Sequence, residues 1–181
     1  MKVESRFQAD FTRIHPGRSF TTIHIASALI TDPGTLSCFL YRLQESAHNK
    51  GNVRVATLLR GLNISLTGAD FAPGCDLGPG LVIRHPVGIV VGCEAVAGPN
   101  CTLLQQVTLG EKYADGRSPH EYPVLGENVV VGAGVKILGA VHVGDWAVIG
   151  ANAVVTSDVP PGATAVGIPA RVMFVEPRPP A

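Results

Sequence analysis

Two apolar spacings divide this chain. Up to about Leu66 the apolar positions fall into short amphipathic runs of helical period: TTIHIASALI, then TLSCFLYRLQESAHNK with Leu36, Phe39, Leu40 and Leu43 in step, then VRVATLLRGLNISL. The DPG between the first two runs reads as a breaker, Gly34 or Thr35 as the start of the second helix, and Asn49-Lys50-Gly51 as its stop. The β-branched end of the third run predicts a handover to strand. Helices this short suit packing or oligomerisation.

After Gly68 the period becomes six. Phe71, Leu77, Ile83, Ile89, Ala95, Cys101 and Val107 are six apart, and Leu125, Val131, Ile137, Val143, Ile149 and Val155 resume the series, thirteen apolar positions in one register. Glycine follows the mark at Gly78, Gly126, Gly132, Gly144 and Gly150. A second column, four after the mark, holds Leu81, Val87, Cys93, Val129, Val135, Val141, Ala147 and Ala153. Both columns are expected to point inward. A period of six suits short strands joined by tight corners, three strands to a turn, which is the prism of a hexapeptide-repeat β-helix. An amphipathic helix or an ordinary sheet does not hold that spacing.

The predicted organisation is a helical segment over 1–66, the β-helix over 67–172 and a tail over 173–181. A polar loop at about 111–123 is extruded where TLGEKYADGRSPHEYP cannot continue the apolar columns. The irregular DVPPGATAVGIPARV predicts a cap, and EPRPPA a disordered tail.

Composition narrows the class. The 181 residues are 46% hydrophobic but only 15% charged, against roughly 25% in an ordinary globular domain, and burial between subunits would explain the shortfall. Net charge is zero, with 14 basic and 14 acidic residues, and no basic run offers the footprint of a nucleic-acid binder. The N-terminal MKVESRFQADFTR has no apolar leader core, and no segment approaches the roughly 18 apolar residues of a membrane span. A cytoplasmic protein is expected. Cys38, Cys75, Cys93 and Cys101 form no CxxC pair and no zinc spacing, so free buried thiols are expected and no metal.

LVIRHPVGIVVG, VTLGEK, VGAGVKILGAVHVGDWAVIGANAVV and VPPGATAVGIPARV together resemble the serine O-acetyltransferase branch of the hexapeptide acyltransferases, over roughly Leu66 to Val172. The resemblance implies a mainly β fold, a left-handed parallel β-helix preceded by a short helical segment. It also implies a homotrimer with active sites between prisms, possibly paired into a hexamer, and acetyl-CoA as donor. It assigns His85 as the catalytic base and Asp70 as the carboxylate that orients it.

That chemistry stands on its own reasoning as well. A hydroxyl attacks a thioester poorly unless a base takes its proton, and imidazole titrates in the right range. A carboxylate on the other ring nitrogen fixes the tautomer. Asp70 and His85 are fifteen residues apart, nearly one turn of the prism. The resemblance further places Ala133, Gly134 and Ala151 along a coenzyme groove. Gly110 is a candidate amide for the oxyanion, and Lys136 and Arg171 are candidates for the coenzyme phosphates.

Three features depart from the family's pattern. Its aspartate before the catalytic histidine is here Arg84, which repels an ammonium and favours a carboxylate or phosphate. Its Arg-His-Pro loop is here Glu121-Tyr122-Pro123, leaving Tyr122 in place of the histidine and His120 and Arg117 as substitutes for the substrate-binding pair. Its isoleucine-ended tail, which docks into cysteine synthase, is here RPPA, so no such complex is expected.

The expected acceptor is therefore a small hydroxylated metabolite, L-serine or a relative, with a sugar, polysaccharide or natural-product hydroxyl as the rival. A β-helix can also be a zinc enzyme, for which His85, His120 and His142 are the candidate ligands, or a scaffold without catalysis. In the scaffold reading His85 is a corner residue and Asp70 an ordinary turn former.

Overall fold

The computed structural model describes residues 3–112 and 121–173, with side chains from Ser5 onward. Four helices lead: α1 (Val3–Ile14), α2 (Thr22–Thr31), α3 (Pro33–Asn49) and α4 (Val53–Thr67). The DPG triplet starts α3 rather than merely breaking the chain. Asp32 caps it, accepting from the Gly34 amide at 3.0 Å and the Thr35 hydroxyl at 2.6 Å, and Pro33 takes the first turn, where its missing N–H costs nothing. The third run does not unwind into strand gradually; α4 stays helical to Thr67 and stops at Gly68, whose φ of 78° reverses the chain.

From Asp70 onward the chain coils through three parallel sheets. The first face stacks Asp70–Phe71, Val90–Val91, Thr108–Gly110, Lys136–Leu138 and Val154–Val155. The second stacks Asp76–Leu77, Val96–Ala97, Val124–Leu125 and His142–Val143. The third stacks Val82–Ile83, Thr102–Leu103, Val130–Val131, Val148–Ile149 and Thr164–Val166, closed by antiparallel Arg171–Met173. This is the left-handed parallel β-helix. Corners take positive φ, which Asn tolerates and which Gly adopts freely. Asn152 (φ 58°) lies over Gly134 (φ 73°), with its amide oxygen 2.1 Å from where a Cβ on Gly134 would be.

All thirteen six-spaced positions are buried, none more than 2% exposed. They do not, however, form one column. Asp70 pairs with Val90, twenty residues on, whereas Val90 pairs with Thr108 and Lys136 with Val154, eighteen on. The two extra residues lie at the corner holding Arg84 and His85. Beyond it the inward strand residues are Val91, Ala97, Leu103 and Leu109, while Ile89, Ala95, Cys101 and Val107 fill the corners two places earlier. The slip corrects two expectations: Val87 is 65% exposed and Cys93 half-buried, not inward.

A buried ion pair fixes the helices to the base of the coil. Arg42 on α3 and Asp10 on α1 are both fully buried, 2.7 Å apart at Nε–Oδ2. Arg42 also donates to the Leu77 and Gly78 carbonyls at 2.6 and 2.7 Å, and Asp10 accepts from the Leu81 amide at 2.8 Å. Burial works against the Arg42 charge, but the Asp10 carboxylate overrides it and raises the guanidinium pKa further.

α4 is amphipathic in an unusual sense. Its inward face carries Ala56, Asn63 and Thr67, while Val55, Leu58, Leu62 and Leu66 are exposed in a helical stripe.

Candidate active site

The expanded corner turns Arg84 and His85 outward on the edge where small residues stack. After strand Val82–Ile83 the chain makes two extra steps, and His85 is held with φ 54°, a left-handed conformation a non-glycine residue adopts only under local constraint. Arg84 and His85 are both exposed, and Pro86 between His85 and Val87 is buried. The Arg84 amide is tied to the Leu103 carbonyl at 2.8 Å, so the backbone is anchored where the side chain projects.

The next corners of the same edge stack above it. The Gln106 amide donates to Val87 at 3.0 Å, Gly134 to Gln105 at 2.8 Å and Asn152 to Ala133 at 2.8 Å. Ala133, Gly134 and Ala151 therefore share one edge with His85. The Gly134 N–H is committed within this ladder, so Gly134 offers space rather than a donor. Lys136 reaches back to the Gln106 carbonyl at 2.5 Å. Arg171 is exposed, on the last strand opposite Val166, and has no ion pair among the described residues. Gly110 lies at the far end of the first face from this edge, pairing with Leu138, and its carbonyl accepts from Gly139.

Asp70 is not on His85. Its carboxylate is forked by Arg60 of α4, at 2.5 Å from Nε and 2.8 Å from Nη2, and no hydrogen bond joins Asp70 and His85 among the described residues. The register explains why: Asp70 lies beneath Val90, five residues beyond His85 and around the corner from it. The sequence reading missed Arg60. Its signal is the inner stripe of α4, where Ala56, Arg60, Asn63 and Thr67 recur at helical spacing and carry an arginine to the first strand.

Tyr122 does not stand in open space. Its ring covers Gly92, where a Cβ would lie 2.1 Å from the Tyr122 Cε1 atom, and its hydroxyl donates to Glu111, with the Cys93 thiol 3.5 Å away. The hydrogen bonds to Cys93 and Glu111 hold the phenol protonated and push its pKa above the ordinary tyrosine value. It thus pins together the two ends of the extruded segment, a role the sequence did not suggest. His120 and Arg117 lie outside the described residues, as do 174–181 with the RPPA terminus.

Among the described residues no group of three or more His, Cys, Asp or Glu side chains could hold a metal ion. His142 is on the second face, exposed, with its amide on Asp158. No single described helix is long and apolar enough to cross a membrane.

Residues 122–157 match the family model for bacterial transferase hexapeptide (six repeats). The chain is 42% identical over 147 residues to a serine acetyltransferase of Helicobacter pylori, covering 80% of this chain and 84% of that protein. Among solved structures it is similar to soybean serine acetyltransferase complexed with serine, with a TM-score of 0.84, 32% identity and coverage of 95% of this chain and 70% of that one. It is similar also to a serine acetyltransferase in complex with CoA, with a TM-score of 0.82, 30% identity and the same coverage, 95% and 70%.

Proposed function

Because this chain belongs to the serine acetyltransferase family, we propose that it moves acetyl from acetyl-CoA to the hydroxyl of a small metabolite, L-serine or a relative, with His85 as general base. The observation that supports this most is the expanded corner, which projects His85 from an anchored backbone at the edge where small residues stack. The neutral imidazole takes the hydroxyl proton as the acceptor oxygen bonds to the thioester carbonyl. The tetrahedral intermediate then collapses, the C–S bond breaks, and the imidazolium returns the proton to the departing thiolate, giving CoA-SH and the O-acetyl ester. A base of this kind contributes roughly 10²–10⁴-fold.

Asp70 is the proposed orienting carboxylate. To reach the second ring nitrogen it must leave Arg60, and that fork is a partly exposed pair, with side chains 37% and 28% accessible. Such pairs contribute about 0.2–1 kcal/mol after solvent screening, so the turn is inexpensive. In this reading the pantetheine arm follows Ala133, Gly134 and Ala151, the Gly110 amide of the neighbouring prism in the trimer meets the oxyanion, and Arg171 meets the coenzyme phosphates, joined by Lys136 once it leaves Gln106. Arg84, with Tyr122, His120 and Arg117 from the loop, is assigned to the acceptor.

The assembly proposed is a homotrimer, open to pairing as a hexamer. The exposed stripe Val55, Leu58, Leu62 and Leu66, at 43, 64, 42 and 61%, supports it, since an apolar helix face of that length favours burial against another chain. Four free thiols suit a reducing compartment, and we assign the enzyme to the cytoplasm. The test is thiol release from acetyl-CoA with L-serine, homoserine and amino sugars. Acceptor-dependent release is expected; none with any hydroxyl acceptor would overturn the proposal, and release with sugars alone would overturn the serine-type acceptor.

A further inference from the structure

Resting on that acetyl-transfer reading, the surroundings of Arg84 narrow the acceptor. Along the third face Val82 and Arg84 point the same way, two residues apart. Thr102 pairs with Val82, and Arg13 from α1 sits on it, donating to the Thr102 hydroxyl at 3.1 Å and to the Gly80 and Cys101 carbonyls at 2.9 and 3.1 Å. Arg13 and Arg84 thus flank one stretch of this face. Each lies within electrostatic range of the other; His15, just past the end of α1, is held below the ordinary imidazole range by burial first, with Asp32 pulling it up and Arg18 and Arg84 pushing it down.

Two of the acids nearby are paired with arginine, Asp10 with Arg42 and Asp70 with Arg60, and the third, Asp32, caps α3 and lies 3.6 Å from His15 rather than on Arg84. Arg84 itself has no ion pair among the described residues and is exposed. A guanidinium with cationic neighbours and no counter-ion, on the residue before the proposed base, is set up to receive an anion. Among the described residues no carboxylate lies within ion-pair distance of Arg84 to hold an ammonium beside it.

We propose that Arg84 is the specificity-determining residue of the acceptor site, and that the acceptor is an anionic hydroxyl compound, a hydroxy acid or a phosphate ester, whose anion pairs with Arg84 while its hydroxyl meets His85. The planar fork of arginine gives two parallel bonds to either anion. An ammonium beside the hydroxyl adds nothing to recognition.

Calorimetric binding to the full chain tests this without turnover, using L-glycerate, glycerol 3-phosphate, L-serine and ethanolamine against wild type, Arg84→Gln and Arg84→Asp. L-Glycerate differs from L-serine only in a hydroxyl for the ammonium. Loss of a charge-assisted pair predicts at least a tenfold weaker anion in Arg84→Gln and a larger loss in Arg84→Asp. Glycerate should bind at least as tightly as serine, and ethanolamine should not bind detectably. Which of glycerate and glycerol phosphate binds more tightly identifies the anion. Arg84→Gln binding both anions within twofold of wild type would overturn the proposal, as would wild type binding neither, or preferring serine to glycerate more than tenfold. Anion binding that depends on Arg84 with no acetyl transfer to the bound acid would instead count against the acetyltransferase reading alone. Arg84 is exposed, and unchanged thermal melts are the control that its variants fold.

Discussion

Replacing Arg42 with Met removes the cation that joins α1, α3 and the first coil. Asp10, fully buried, then keeps only the Leu81 and Gly80 amides, and the Leu77 and Gly78 carbonyls lose their donor. Breaking a buried pair from one side costs about 3–5 kcal/mol, because the remaining charge is stranded away from water. For a chain of this size roughly 1 kcal/mol moves the melting temperature by about 2–4 °C, so a fall of about 6–20 °C is expected. Urea unfolding followed by circular dichroism at several matched protein concentrations measures the loss, and its concentration dependence separates out subunit dissociation. The double variant Asp10→Asn, Arg42→Met removes the stranded charge and should cost about 2 kcal/mol less than the sum of the single variants. A cost below about 1 kcal/mol for Arg42→Met, or strict additivity in the double variant, would refute the reasoning. The consequence reaches the site, since Arg13 is one turn beyond Asp10 on the same helix.

Three further outcomes are expected. In the native protein at pH 8, N-ethylmaleimide should label Cys93 alone: Cys38, Cys75 and Cys101 are buried, and burial pushes Cys75 up to about 12 and Cys101 up to about 11; peptide mass spectra showing Cys75 or Cys101 modified equally fast would contradict this. Gly134→Val forces a β-branched residue to φ 73° against Asn152; it should cost about 1–2 kcal/mol of stability, raise KM for acetyl-CoA at least tenfold and leave acceptor KM nearly unchanged. Arg60→Gln should leave the acetyl-transfer rate equal or higher by freeing Asp70, whereas Asp70→Asn should lower it about tenfold; rates that fall together would mean that the fork itself is required.

The period of six made the coil legible because nearly every inward position is apolar, yet it concealed the two-residue slip. Ile89 and Val91 are both buried, one at a corner and one on a strand, so a six-residue count passes from one column to the other without meeting a polar residue. The slip became visible only through strand pairing, and with it the exposure of Val87 and Cys93. RHPVGIVVG singled out His85 as the candidate base, and the residue stands exposed on the expanded corner. The Arg60–Asp70 fork was not, because it depends on α4 reversing at Gly68 to lie beside the first strand, a contact that no local pattern encodes. Tyr122 on Gly92 depends similarly on how the extruded segment returns to the prism. The helical front was legible as helix, but the apolar stripe of α4 faces out and its polar stripe faces in, the reverse of what an isolated domain requires.

The central claim is that His85 removes the acceptor proton. The direct measurement is the rate of acetyl-CoA thiol release in wild type and His85→Ala, with the acceptor saturating and acetyl-CoA binding measured alongside. The account predicts a fall of roughly 10²–10⁴-fold in kcat with coenzyme binding and the thermal melt unchanged. A His85→Ala enzyme that retains acceptor-dependent release within a few-fold of wild type would contradict it.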